Sequence, residues 1–144
     1  MALVAVVGEP DAHAGELPVA FVQPRPGAAL DPTELIAFVR ERTPERAAVP
    51  VQIYFTDAIP LTAVGKVFKP ALRLDATRRA VGRLLARLAP PGAEIVFEVG
   101  QHAEHGSLIT VRVCGVDTDA RESLSSQISA RLDPLTTRSE IVWS

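Results

Sequence analysis

The chain is poor in several things that would each have named a class of protein. Only one of its 144 residues is cysteine, Cys114, so no disulfide can close within it, which fits a reducing, cytoplasmic setting. No apolar run approaches the roughly 18 residues that a membrane-spanning helix needs, so no transmembrane segment is expected. The opening Met1-Ala-Leu-Val-Ala-Val-Val7 has no basic flank and runs straight into Gly8-Glu9-Pro10-Asp11. It reads as a buried strand rather than a secretion signal. Charge of one sign is lacking too: 15 basic residues face 17 acidic ones, for a net charge of −2. A nucleic-acid partner is therefore not expected, because displacing counterions from phosphates takes an excess of cations. Lysine is the scarcest cation. Of the 15 basic residues 13 are arginine, and the two lysines, Lys66 and Lys69, fall in one short stretch. A compact, mobile ammonium and a flat guanidinium fork are not interchangeable, so this placing singles the stretch out.

Apolar residues make up 47% of the chain, enough to bury a core in one domain, or in one domain with a small appendage. No internal repeat is visible. Residues 2–7 and Leu17 to Val22 read as strands covered on both faces. Asp31-Pro32-Thr33-Glu34 is a helix start, with Asp31 as cap, Pro32 at the first position and Glu34 to close a capping box. Leu35, Ile36 and Val39 give the buried stripe, with Phe38 beside it, and Thr43-Pro44 ends the helix. Val51, Ile53 and Phe55 alternate with Gln52 and Tyr54, predicting a third strand with one more polar face. Pro70 can open a helix whose apolar face is Leu74, Val81, Leu84, Leu85 and Leu88, stopped by Ala89-Pro90-Pro91-Gly92. Ile95, Phe97 and Val99, then Ile109, Val111 and Val113, predict two strands joined by a turn through Gly100 to Gly106. Asp119 to Glu122 can cap a helix with the stripe Leu124, Ile128 and Leu132, and Ile141 to Trp143 is a last strand.

The fold class expected is α+β: a small three-stranded sheet with helices, followed by a β-β-α-β extension. The divisions expected are 1–75, a helix and Pro-rich connection over 76–92, and the extension over 93–144. The extension resembles half of a ferredoxin-like unit and is expected to pack on Val81, Leu84, Leu85 and Leu88.

Chemistry concentrates in Pro60-Leu61-Thr62-Ala63-Val64-Gly65-Lys66-Val67-Phe68-Lys69. Gly65 permits a tight turn just before Lys66, so the loop can carry an ammonium to an anionic site while its base stays outside. It is not a phosphate-cradling P-loop. Pro60 stands where the first glycine belongs, and Val67 where a hydroxyl residue should follow the lysine. His102, His105 and Glu104 read as a polar hairpin turn, since a metal needs three or four converging ligands, and no metal site is expected. Arg79, Arg83 and Arg87 read as a solvated helix face.

The lysine stretch resembles the last core motif of the adenylate-forming acyl-CoA synthetase superfamily, P-x-T-x-x-G-K-x-x-K/R. Val6-Val7-Gly8-Glu9-Pro10-Asp11, Gly15-Glu16 and Val19-Ala20-Phe21-Val22 are similar to the opening of that family's small C-terminal lid domain. The capped helix and Val51–Phe55, followed by Asp57-Ala58-Ile59-Pro60, fall in the family's order, so the likeness runs from residue 2 to about 75. Val64 departs from the Ser or Thr common before the glycine, Ala47-Ala48 from a Tyr-Lys pair, and Ala14 from an aromatic residue before Gly-Glu.

The resemblance implies the C-terminal domain of an acid–CoA ligase of fatty- or aryl-acid type. Lys66 is then the catalytic lysine of acyl-adenylate formation, with Thr62, Gly65 and Lys69 as motif support. The loop of His13, Gly15 and Glu16 would lie on the CoA side after the lid rotates. ATP with Mg, CoA and a carboxylic acid are implied, bound mainly by an N-terminal adenylation domain whose motifs this chain lacks. The chain alone, whether an expressed fragment or a gene remnant, is expected to be inactive. The alternatives are a non-catalytic interaction or oligomerisation module that kept the fold, and a free-standing ferredoxin-like ligand-binding domain.

Overall fold

The computed structural model describes residues 2–104 and 106–144. Its elements run β1 (Leu3–Asp11), β2 (Gly15–Gln23), α1 (Pro32–Arg42), a 3-10 turn (Arg46–Ala48), β3 (Gln52–Phe55), α2 (Lys69–Leu85), β4 (Glu94–His102), β5 (Gly106–Cys114), α3 (Thr118–Leu132) and β6 (Arg138–Trp143). The architecture is α+β, with two three-stranded sheets ordered β1-β2-β3 and β4-β5-β6. Two compact units result. The first comprises the segment up to Glu9 with Glu16–Ala76, and the second Pro10–Gly15 with Thr77–Ser144.

In the first unit β2 is the central strand, and Val19, Ala20, Phe21 and Val22 are all buried because both faces of the sheet are covered. On one face Val19, Phe21, Ala5, Val7, Tyr54 and Ile59 pack with Leu72 and Ala76 of α2. On the other Ala20, Val22 and Ile53 meet Leu35 and Ile36 of α1. Strand β3 runs parallel to β2, pairing Val19 with Gln52 through Val22 with Phe55.

Two expectations are corrected here. Strand β1 is an edge strand that buries only Ala5, Val7 and Glu9 and leaves Val4 and Val6 exposed, so it is not covered on both faces. In β3 the buried residues are the neighbours Ile53 and Tyr54, one on each face, while Val51 and Phe55 at its ends are exposed. Helix α1 starts as expected, with Asp31 accepting a hydrogen bond from Glu34 N at 3.0 Å and Pro32 in the first turn.

In the second unit β4 and β5 form an antiparallel hairpin, and β5 pairs parallel with β6. Buried Ile109, Val111 and Val113 alternate with outward-facing residues, and Leu124, Ile128 and Leu132 of α3 are buried as their spacing predicts. The hairpin strands run further than expected, to His102 and from Gly106, so the turn is short. Helix α3 begins at Thr118 with Asp117 at the cap position, which puts Asp119 inside its first turn rather than ahead of it. The second half of α2 belongs to this unit and buries Ala80, Val81 and Leu85. Gly82 lies so close to Phe97 that a methyl there would stand 3.4 Å from the ring, and Arg131 Nη1 donates to Leu84 O at 3.1 Å. Helix α2 stops at Leu85, earlier than its apolar spacing predicts, where Arg87 turns into the left-handed region at φ 65°.

Candidate functional site

Between β3 and α2 the chain makes a small hairpin whose geometry accounts for the spacing of Thr62, Gly65 and Lys66 in the lysine motif. Leu61 and Val67 form an antiparallel bridge, and Phe68 N donates to Pro60 O at 2.8 Å. Nearer the tip, Thr62 N donates to Lys66 O at 2.6 Å and Gly65 N to Thr62 O at 2.9 Å. This is the pattern of a three-residue hairpin loop closed by a glycine bulge, which needs a left-handed residue at the bulge. Gly65 supplies it, at φ 81°. The Thr62 hydroxyl then accepts a hydrogen bond from Lys66 N at 3.2 Å. The spacing Thr-x-x-Gly-Lys is therefore one structural unit. It fixes the backbone of Lys66 from both sides and leaves the side chain exposed. Lys69 is the first residue of α2, whose first turn holds no acidic residue. Two ammonium groups and a helix N-terminus thus share one short segment, an arrangement that favours an anion.

His13, Gly15 and Glu16 belong to the β1–β2 turn and not to the lysine hairpin. Asp11 Oδ1 accepts hydrogen bonds from Ala14 N at 2.8 Å and His13 N at 2.9 Å, and Gly15 leaves the turn at φ 79°. Those two backbone donors, that of Ala14 first, hold the Asp11 carboxyl below its ordinary range. Glu16 folds back over β1: a Cβ on Gly8 would collide with its carboxylate, and Arg73 Nη1 lies 3.9 Å from it. Gly8 and the Gly15-Glu16 pair are thus matched parts of one hairpin.

The pairing of buried Tyr54 with buried Glu9, hydroxyl to Oε2 at 2.6 Å, was not legible beforehand. Alternation put Tyr54 on a polar face, and Glu9 followed the apolar run of residues 2–7 beside a second acid, Asp11. His102 accepts from Glu104 N at 3.3 Å as part of its turn, and His105 lies outside the described residues. Among the described residues no group of three potential metal ligands gathers, and no helix is long and apolar enough to cross a membrane.

The family model of the AMP-binding enzyme C-terminal domain matches residues 1–66 and ends on Lys66. Those residues are an AMP-binding enzyme C-terminal domain. Similar proteins include acid–CoA ligases. The marinolic acid–CoA ligase of a Pseudoalteromonas strain is 35% identical over 133 residues, covering 92% of this chain and 20% of that protein. A 3-[(3aS,4S,7aS)-7a-methyl-1,5-dioxo-octahydro-1H-inden-4-yl]propanoyl:CoA ligase of Mycobacterium tuberculosis is 45% identical over 69 residues, covering 48% of this chain and 13% of that one. Among solved structures, a fatty acyl CoA synthetase of M. tuberculosis aligns at a TM-score of 0.49 with 28% identity, over 54% of this chain and 15% of its own. The chain therefore spans a fifth or less of the ligases it matches. The family-model match ends before α2, yet a match of 133 residues must also take in β4, β5 and α3, so the second unit too has a counterpart in an acid–CoA ligase.

Proposed function

We propose that this chain works as the C-terminal lid of an ATP-dependent acid–CoA ligase and that Lys66 serves its adenylation step. The observation that carries the reading is the hairpin, which spends a threonine, a glycine and five backbone hydrogen-bonding groups on holding one exposed lysine. In the first half-reaction a carboxylate oxygen bonds to the α-phosphorus of ATP and the bond to the departing pyrophosphate breaks. Negative charge crowds at that point, and an ammonium placed between carboxylate and phosphate oxygens stabilises it. In the second, the sulfur of CoA bonds to the acyl carbon and AMP leaves. Mg-ATP and the acid would be held by an adenylation domain. After the lid turns, the His13–Glu16 segment would face CoA. The fatty- or aryl-acid class is proposed for the substrate from the sequence likeness.

The decisive measurement uses the intact ligase that carries this chain. Lys66→Ala should abolish most ATP–pyrophosphate exchange yet leave thioester formation from supplied acyl-adenylate nearly unchanged. Equal loss of both half-reactions would make Lys66 structural and end the proposal. The isolated chain should show no exchange at all.

A further inference from the structure

The hairpin that holds Lys66 is wrapped in apolar side chains that its own unit leaves in solvent. Val64 at the tip is 80% exposed, Leu61 52% and Phe68 45%. Val67 alone turns inward, packing against the core that contains Ile59. The register sets the directions. Leu61 and Val67 are cross-strand partners and share one face, so Lys66 and Phe68 share the other. Phe68 thus lies on the same face of the hairpin as Lys66, Leu61 on the opposite face and Val64 at the tip. Single exposed apolar residues are ordinary, but three around one cation on a protruding loop form a patch. Such a patch is complementary to a cleft with an apolar rim and an anionic floor.

We infer that Leu61, Val64 and Phe68 form a seal that closes around Lys66 when the hairpin enters the adenylation domain, excluding water from the reacting phosphate. The inference rests on the reading of Lys66 as the adenylation lysine. With water displaced, the charge of Lys66 acts at a lower effective dielectric and counterions cannot screen it. The three residues touch no reacting atom. Their role is to set the medium in which Lys66 works.

The test compares three forms of the intact ligase: Lys66→Ala, a polar triple (Leu61→Ser, Val64→Ser, Phe68→Ser) and a conservative triple (Leu61→Met, Val64→Ile, Phe68→Leu). The polar triple should slow adenylate formation roughly ten- to a hundredfold while thioester formation from supplied adenylate holds. Its residual adenylation should also fall steeply as salt is raised, whereas the parent and the conservative triple respond weakly. Should the polar triple fail to fold, Val64→Ser alone carries the test, since that side chain is the most exposed of the three. A polar variant with the parent's adenylation rate and salt response, or one that loses both half-reactions alike, overturns the seal. Full adenylation by Lys66→Ala would instead remove the reading beneath it, a result distinct from either.

Discussion

The two units share an order of elements. Each begins with a hairpin, continues through a helix and returns a third strand parallel to the second: β1-β2-α1-β3 in one, β4-β5-α3-β6 in the other. No repeat is visible in the residues that build them. In the first unit the central strand is buried on both faces, and the hairpin after β3 gives Thr62 and Gly65 narrow backbone duties. In the second the central strand alternates, one face in the core and one in water. The comparison teaches that a shared order of elements does not bring a shared pattern of burial with it. After its third strand the first unit carries a braced hairpin that holds Lys66. The family match divides the same way, stopping at Lys66.

The sharpest way to break this contrast is to remove the lysine. Lys66→Ala in the intact ligase should cost roughly two to four orders of magnitude in adenylation, the scale of losing one preorganised charge at a transition state. Lys66→Arg should recover little of it, because a planar fork does not replace a point charge. Next in size is the core of the second unit. Ile128→Ala should lower stability by about 2–5 kcal/mol, since the side chain is wholly buried. Adenylation below the melting temperature should be unaffected. If it fell in step with Lys66→Ala, the second unit would be part of the chemistry and the contrast would fail. Urea titration and pyrophosphate exchange on the same sample decide between these.

How much of this was legible beforehand differs by unit and by cause. The helix start at Asp31 and the stripe Leu124, Ile128 and Leu132 follow from local rules, and the structure follows them. The readings of β1 and β3 failed for a non-local reason. Whether a strand lies at an edge, or has a helix on each face, is decided by residues far away in sequence. Val4 and Val6 look like core in a window of seven residues and stand in solvent at the margin of a sheet. Tyr54 looks polar beside Ile53 and lies against Phe21, ring centres 5.3 Å apart. In the lysine hairpin, the residues were readable as a motif. The reason for their spacing, a threonine that braces the lysine's own backbone, became visible only in three dimensions.

Two smaller effects refine the contrast. Gly65→Ala forces an L-residue into the left-handed region at a cost of about 1 kcal/mol. Its effect on adenylation should exceed its effect on the melting temperature, because the distortion falls on the segment that aims Lys66. The smallest effect concerns acid. The Asp11 carboxyl titrates below its unfolded value, so its contribution to stability is complete above that unfolded value and disappears as pH falls through the folded one. Asp11→Asn should flatten the stability profile in that acidic window and change little near neutrality, as melting curves over a pH series would record.

The chain contains a single tyrosine and a single tryptophan, and they fall in different units. Tyr54 is buried in the first core, its hydroxyl tied to Glu9, while Trp143 closes β6 with the Arg121 guanidinium 5.4 Å from its ring centre. Each unit therefore owns one intrinsic chromophore. Tyrosine bands in near-ultraviolet dichroism follow the first unit, and tryptophan emission follows the second, without any label. Each trace therefore reports the melting of its own unit, and the two midpoints can be compared on a single sample.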